Sequence, residues 1–145
     1  MRVLVVDDSA FMRRIISDIL VTDPQLNVVG TACDGLDALN KIPQLHPDVI
    51  TLDVAMPKMD GLTSLRHIME KYPTPVVMLS SLTRQGTDET LKALEYGAVD
   101  YVLKPSGAIS LDLAKVKTEL IDKVKTAAYA KLLKPEVTEA TINYN

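Results

Sequence analysis

The chain has 145 residues, 47% of them hydrophobic and 24% charged, which suits one folded domain with a real core and excludes a disordered or low-complexity chain. A net charge of −3 with no basic stripe argues against general attraction to nucleic acid or anionic membranes. The single cysteine, Cys33, has no internal disulfide partner, and Asp7 and Asp8 stop the opening apolar run far short of signal-peptide or membrane-helix length, so the expected compartment is the cytoplasm.

The first predicted strand is Arg2 to Asp7, a short apolar run ending in two acids. A helix follows with Phe11, Ile15 and Ile19 at helical spacing, closed before Pro24. Asn27 to Thr31 reads as the second strand, and Asp34 as the cap of a second helix. The third strand, Asp48 to Asp53, again ends in an acid. Asp60-Gly61 then reads as a turn, Asp60 capping and Gly61 permitting a left-handed backbone, ahead of a helix carrying Leu62, Leu65, Ile68 and Met69. Pro75 to Ser80 is the fourth strand, and Gly97 ends the fourth helix. Ala98 to Leu103 makes the fifth strand, and Ser110 to Lys131 a fifth helix with Leu113, Val116, Leu120 and Val124 on one face. Lys134 to Asn145 is polar and reads as a tail or linker.

Alternating strands and helices predict an α/β fold: a doubly wound, five-stranded parallel sheet, flavodoxin-like with order 2-1-3-4-5, strands buried on both faces and five helices around it. In such sheets ligands bind beyond the carboxyl ends of the strands where strand order reverses, between strands 1 and 3. That brings Asp7, Asp8 and Asp53 together although about 45 residues separate them in the chain. Clustered carboxylates repel one another unless a cation compensates, and an oxygen-only set with few acids suits Mg2+. Asp53 is the candidate nucleophile, able to form a mixed anhydride with phosphate. Ser80 offers a hydroxyl and Lys104 a point charge to phosphoryl oxygens. His46 and His67 read as surface residues, Cys33 as semi-buried, and the methionines as packing or loop residues.

Asp7-Asp8-Ser9, Leu52-Asp53 with Met56-Pro57, Met59-Asp60-Gly61, Ser80 and Lys104-Pro105 resemble the two-component receiver family over residues 1 to about 127, leaving 128–145 as a helix end and linker. The resemblance implies phosphorylation of Asp53 by a histidine kinase. It implies Mg2+ bound by Asp8, by Asp7 through water, by Asp53 and by the backbone carbonyl of Ala55. It implies that Ser80 and Tyr101 act as a coupled switch and that the Lys104-Pro105 bond is cis. Val6 to Met12, Met78 to Thr83 and Gly97 to Gly107 are similar to the regulatory domains of chemotaxis protein-glutamate methylesterases. In those proteins the receiver covers a separate esterase domain, and phosphorylation relieves the block on receptor demethylation. No Gly-x-Ser-x-Gly elbow occurs in this chain, so no esterase triad and no esterase activity are expected in it. A free-standing chemotaxis shuttle that binds the motor is the alternative within the family. An aspartyl phosphatase is disfavoured because neither Asp53-Val54-Ala55 nor Asp7-Asp8-Ser9 places an acid two residues after the nucleophile. Ala55 stands where the family often has glutamate.

Overall fold

The computed structural model describes residues 1–56, 59–80, 84–104 and 110–133. Strands β1 (Arg2–Val6), β2 (Asn27–Ala32), β3 (Val49–Asp53), β4 (Val76–Ser80) and β5 (Asp100–Leu103) alternate with helices α1 (Ala10–Leu20), α2 (Gly35–Leu45), α3 (Gly61–Lys71), α4 (Arg84–Glu95) and α5 (Ser110–Leu133). The strands form one sheet of order β2-β1-β3-β4-β5, with every pair parallel. The expected architecture is therefore the observed one. Pro105, and with it the expected cis Lys104-Pro105 bond, and the tail from Lys134 lie outside the described residues, as does the side chain of Leu113.

The two-residue period of the strands divides the core. Leu4, Val6, Ile50, Leu52, Val76 and Met78 meet Ala38 and Ile42 of α2, Leu65 and Ile68 of α3, and Ala93 of α4. Their neighbours Val3, Val5, Val49, Val77, Leu79 and Val102 meet Ile16, Ile19 and Leu20 of α1 and Leu120, Val124, Ala127 and Ala128 of α5. Burying one such aliphatic side chain stabilises the fold by about 1.5–3 kcal/mol.

Burial on both faces holds only for part of the sheet. Residues 3–6 of β1 and all of β3 and β4 are buried, whereas β2 and β5 are largely half-buried or exposed, because an edge strand has a neighbour on one side only. The expected apolar line of α1 holds for Ile19, which is buried, and for Ile15, half-buried against the same cluster, with Ile16 and Leu20 beside them in the core, whereas Phe11 is 71% exposed in the first turn. Cys33 is exposed as well, since it lies beyond the last residue of β2.

Helix ends follow the polar residues that flank them. Ser9, Asp34 and Asp60 each accept a backbone N–H three residues on, from Met12, Asp37 and Thr63, and so cap α1, α2 and α3. At the end of α4, Gly97 adopts φ +111° while Ala98 N–H donates to the Ala93 carbonyl and Gly97 N–H to that of Leu94, a stop that favours glycine. Gly61 differs from the expectation. Gly97 is the glycine with positive φ among the described residues, and Gly61 is required for contact instead: a Cβ there would collide with the Asp53 carbonyl and come within 2.7 Å of Val54 Cα. The start of α3 is thereby pressed against the end of β3. α5 runs unbroken past residue 127 to Leu133, and Lys131 near its end donates to the Pro47 carbonyl at 2.8 Å.

Candidate functional site

Asp7 follows β1 and is held by its backbone on both sides. Its N–H donates to the Ala32 carbonyl at 3.1 Å, and its own carbonyl accepts Arg13 Nη1 at 2.8 Å. Its carboxylate accepts the Ser9 N–H at 2.9 Å, and the side chain is fully buried. Asp53 closes β3 at 1% exposure, with Oδ1 accepting the Ala55 N–H at 3.2 Å. Asp8 is exposed. One carboxylate oxygen from each of Asp7, Asp8 and Asp53 lies within 4.8 Å of the others, so the topology brings the three acids together as expected.

Lys104 leaves β5 with its N–H donating to the Ser80 carbonyl at 2.8 Å, which aims its side chain across the sheet end. Its ammonium stands 2.8 Å from Asp53 Oδ2 and 3.6 Å from Asp7 Oδ2. Ser80 ends β4 at 2% exposure, one residue beyond Leu79, the residue paired with Asp53. Tyr101 is set apart from this group: it is paired with Met78, two residues back from the strand end, and is 39% exposed on the sheet edge.

Burial is the main electrostatic force on the acids. It pushes the Asp53 carboxyl up to about 6, with Asp7 adding to the rise and Lys104 and the Ala55 N–H opposing it. Asp7 is raised for the same reason, against the pull of the Ser9 N–H and Lys104. Burial alone would lower Lys104, but the ion pair with Asp53 and the charges of Asp7 and Asp8 outweigh it and hold the ammonium above its ordinary range. One lysine does not neutralise three carboxylates. Asp7 Oδ2 and Asp53 Oδ2 are buried without a hydrogen bond of good geometry, Lys104 approaching both only as an ion pair. Buried carboxylates that share a single ammonium remain costly, and hard oxygen donors in this number fit a small divalent cation.

A cleft of about 190 Å³ opens onto this group, lined by Asp53, Val54, Ala55, Gln85, Gly86, Glu89 and Lys104. Ala55 is exposed at its mouth. Gln85 and Glu89, one turn apart on α4, and Arg13, which steadies the Asp7 backbone, were not among the expected site residues. Nothing in their sequence setting separates them from ordinary polar helix positions.

A parallel 2-1-3-4-5 sheet with acids at the ends of β1 and β3 and a lysine after β5 is the arrangement of a receiver domain. The chain belongs to the response regulator receiver domain family, whose pattern matches residues 3–115. Within that family its similarity runs to the receivers of CheB-type chemotaxis regulators. A protein-glutamate methylesterase/protein-glutamine glutaminase of Pyrococcus abyssi is 55% identical over 127 residues, covering 88% of this chain and 34% of that protein. The chain thus spans about a third of the length of such a relative. The crystal structure of the response regulator domain of Thermotoga maritima CheB aligns with TM-score 0.79 and 50% identity over 89% of this chain and 96% of that one. A chain from the crystal structure of the P1 domain of CheA3 in complex with CheY6 from R. sphaeroides aligns with TM-score 0.72 and 37% identity, over 88% of this chain and 96% of that one. Among the described residues no helix is long and apolar enough to cross a membrane.

Proposed function

We propose that Asp53 accepts a phosphoryl group from the phosphohistidine of a chemotaxis histidine kinase. In the transfer an Asp53 carboxylate oxygen bonds to phosphorus as the phosphorus–nitrogen bond breaks, and the imidazole leaves with that electron pair. Asp7, Asp8, Asp53 and the backbone carbonyl of Ala55 are the groups that would hold Mg2+, which when bound supplies positive charge to the crowded acids and the incoming phosphoryl oxygens. Lys104, already against Asp53 Oδ2, supplies the protein's own positive charge, and Ser80 contributes a hydroxyl donor.

Phosphorylation takes Asp53 from about −1 to about −2 and adds acceptor oxygens that draw Ser80 and Lys104 toward them. The room left by Ser80 admits the Tyr101 ring, which repacks the face formed by α4, β5 and α5. Moving that equilibrium from 1:99 to 99:1 takes about 5.5 kcal/mol, within reach of a few charge-assisted hydrogen bonds. In this reading residues 1–127 are the receiver, and 128–145 lead toward a methylesterase output domain outside this chain. That domain would carry the esterase chemistry and the contact with chemoreceptors, while this chain accepts and slowly releases phosphate in the cytoplasm without inserting into the membrane or binding nucleic acid.

The observation that carries the proposal is a buried strand-end aspartate with an ammonium 2.8 Å away and two further carboxylates close by. The test is intact-mass and peptide-mapping spectrometry after treatment with acetyl phosphate and Mg2+. One phosphoryl group on Asp53, absent from Asp53→Asn and from a chelated sample, is the expected result. Failure of the wild type to gain label even with a competent kinase overturns the proposal.

A further inference from the structure

Tyr101 lies on β5, the strand that closes one side of the sheet. A strand at an edge leaves backbone N–H and C=O groups without a ladder partner, and here side chains take them up. The Tyr101 N–H donates to Asp100 Oδ1 at 2.8 Å, and the Tyr101 carbonyl accepts Lys123 Nζ of α5 at 2.7 Å. The same ammonium stands 3.3 Å from Asp100 Oδ1 and 2.9 Å from Glu119 Oε1. Three oxygens match the three donors of an ammonium. Lys123 Nζ also sits over the Tyr101 ring, 5.0 Å from its centroid. One side chain therefore grips both the backbone and the ring of a single residue.

We infer that Lys123 is a latch, a positioning residue that holds Tyr101 in its outward arrangement through the carbonyl hydrogen bond and the contact with the ring. Asp100 and Glu119 keep the latch charged and in place. Burial acts to lower the Lys123 ammonium, but the bond to Glu119 and the charges of Asp100 and Glu119 outweigh it and leave it raised, so the latch stays protonated wherever the domain is folded near neutrality. The inference rests on the reading of Tyr101 as a switch and adds what opposes that switch. The inward state has to be reached against the contact between Lys123 and the ring, so this contact helps set how little of the inward state exists before phosphorylation.

The experiment uses the full chain labelled with fluorotyrosine, the Tyr101 signal being assigned by its loss in Tyr101→Phe. The H2O/D2O solvent isotope shift of that fluorine signal reads ring exposure, which a mere change of local field does not mimic. Lys123→Met keeps the aliphatic stem and removes the charge, and Lys123→Arg keeps the charge. The expected result is a roughly tenfold higher ratio of inward to outward ring in unphosphorylated Lys123→Met, ~1.4 kcal/mol, with Lys123→Arg close to wild type. A Tyr101 ring that stays as exposed in folded Lys123→Met as in the wild type overturns the latch. Phosphorylating the wild type separates the two claims: a ring whose exposure does not change on phosphorylation refutes the switch reading, whereas the latch is judged on the unphosphorylated variants.

Discussion

Ala55 sits two residues past Asp53, with its N–H tied to the Asp53 carboxylate at 3.2 Å and its methyl at the mouth of the cleft below Gln85 and Glu89. A methyl group neither fills that opening nor repels what enters it. Water would therefore have an open approach to an acyl phosphate on Asp53. In Ala55→Glu the longer, charged side chain occupies the mouth, and the phosphorylated state is expected to last about threefold longer or more, a barrier change of roughly 0.7 kcal/mol. Following loss of phosphate after removal of the donor checks this, and equal lifetimes would show that position 55 does not govern water entry. The acids themselves were readable from the sequence, since a parallel sheet of this order converts two distant strand ends into neighbours. Gln85 and Glu89 were not, because the rotation of α4 about its axis decides which of its many polar residues meets the cleft.

Between elements, the contact of α3 with β3 has little tolerance, because backbone meets backbone there. Gly61 lies against the Asp53 carbonyl and Val54, and its N–H donates to the Val54 carbonyl at 2.8 Å. Gly61→Ala gains a little helix propensity but forces a methyl group into backbone that has no rotamer to yield. A net loss of about 1–3 kcal/mol is expected, as for other overpacked sites, read as a lower urea midpoint. Because the displaced backbone is that of Asp53 and Val54, the same variant should also take up phosphate from acetyl phosphate more slowly. Unchanged stability together with unchanged phosphorylation would mean that the loop yields freely. The Asp60-Gly61 pair shows what local sequence conveys. Asp60 is a cap by its own chemistry, whereas the reason for Gly61 lies in a strand end eight residues earlier. Phe11 makes the same point for α1: its spacing with Ile15 and Ile19 is helical, but only the angle at which the helix crosses the sheet assigns the core to Ile16, Ile19 and Leu20. The Lys123 cluster was equally invisible, since Tyr101 and Lys123 are 22 residues apart and join only through the packing of α5 on β5.

For the domain as a whole, the acids between β1 and β3 link stability to pH and to cations. Burial pushes the Asp53 carboxyl up to about 6 in the folded chain, against 3.8 ordinarily. Below about pH 4 both states hold the proton and nothing is lost. As pH rises from about 4 through about 6, the unfolded chain releases the proton first while the folded chain keeps it. The folded state then binds more protons, so stability falls across this window and levels off above it. Asp7 is shifted in the same direction and adds to the fall. Lys104 is raised too, but its contribution is complete below its ordinary value of 10.5 and is lost only as pH climbs through the higher folded value, so it leaves the acidic window untouched. Thermal melts of the chelated protein between pH 4 and 7 should therefore decline relative to Asp53→Asn, which carries no proton to release at that position. A cation held by these carboxylates, as proposed, would need them deprotonated, so Mg2+ should raise the midpoint markedly at pH 7 and much less at pH 5, where it competes with the proton. Parallel profiles for the chelated wild type and Asp53→Asn would show that burial does not hold the Asp53 proton. A Mg2+ effect equal at both pH values would place the cation away from these carboxylates.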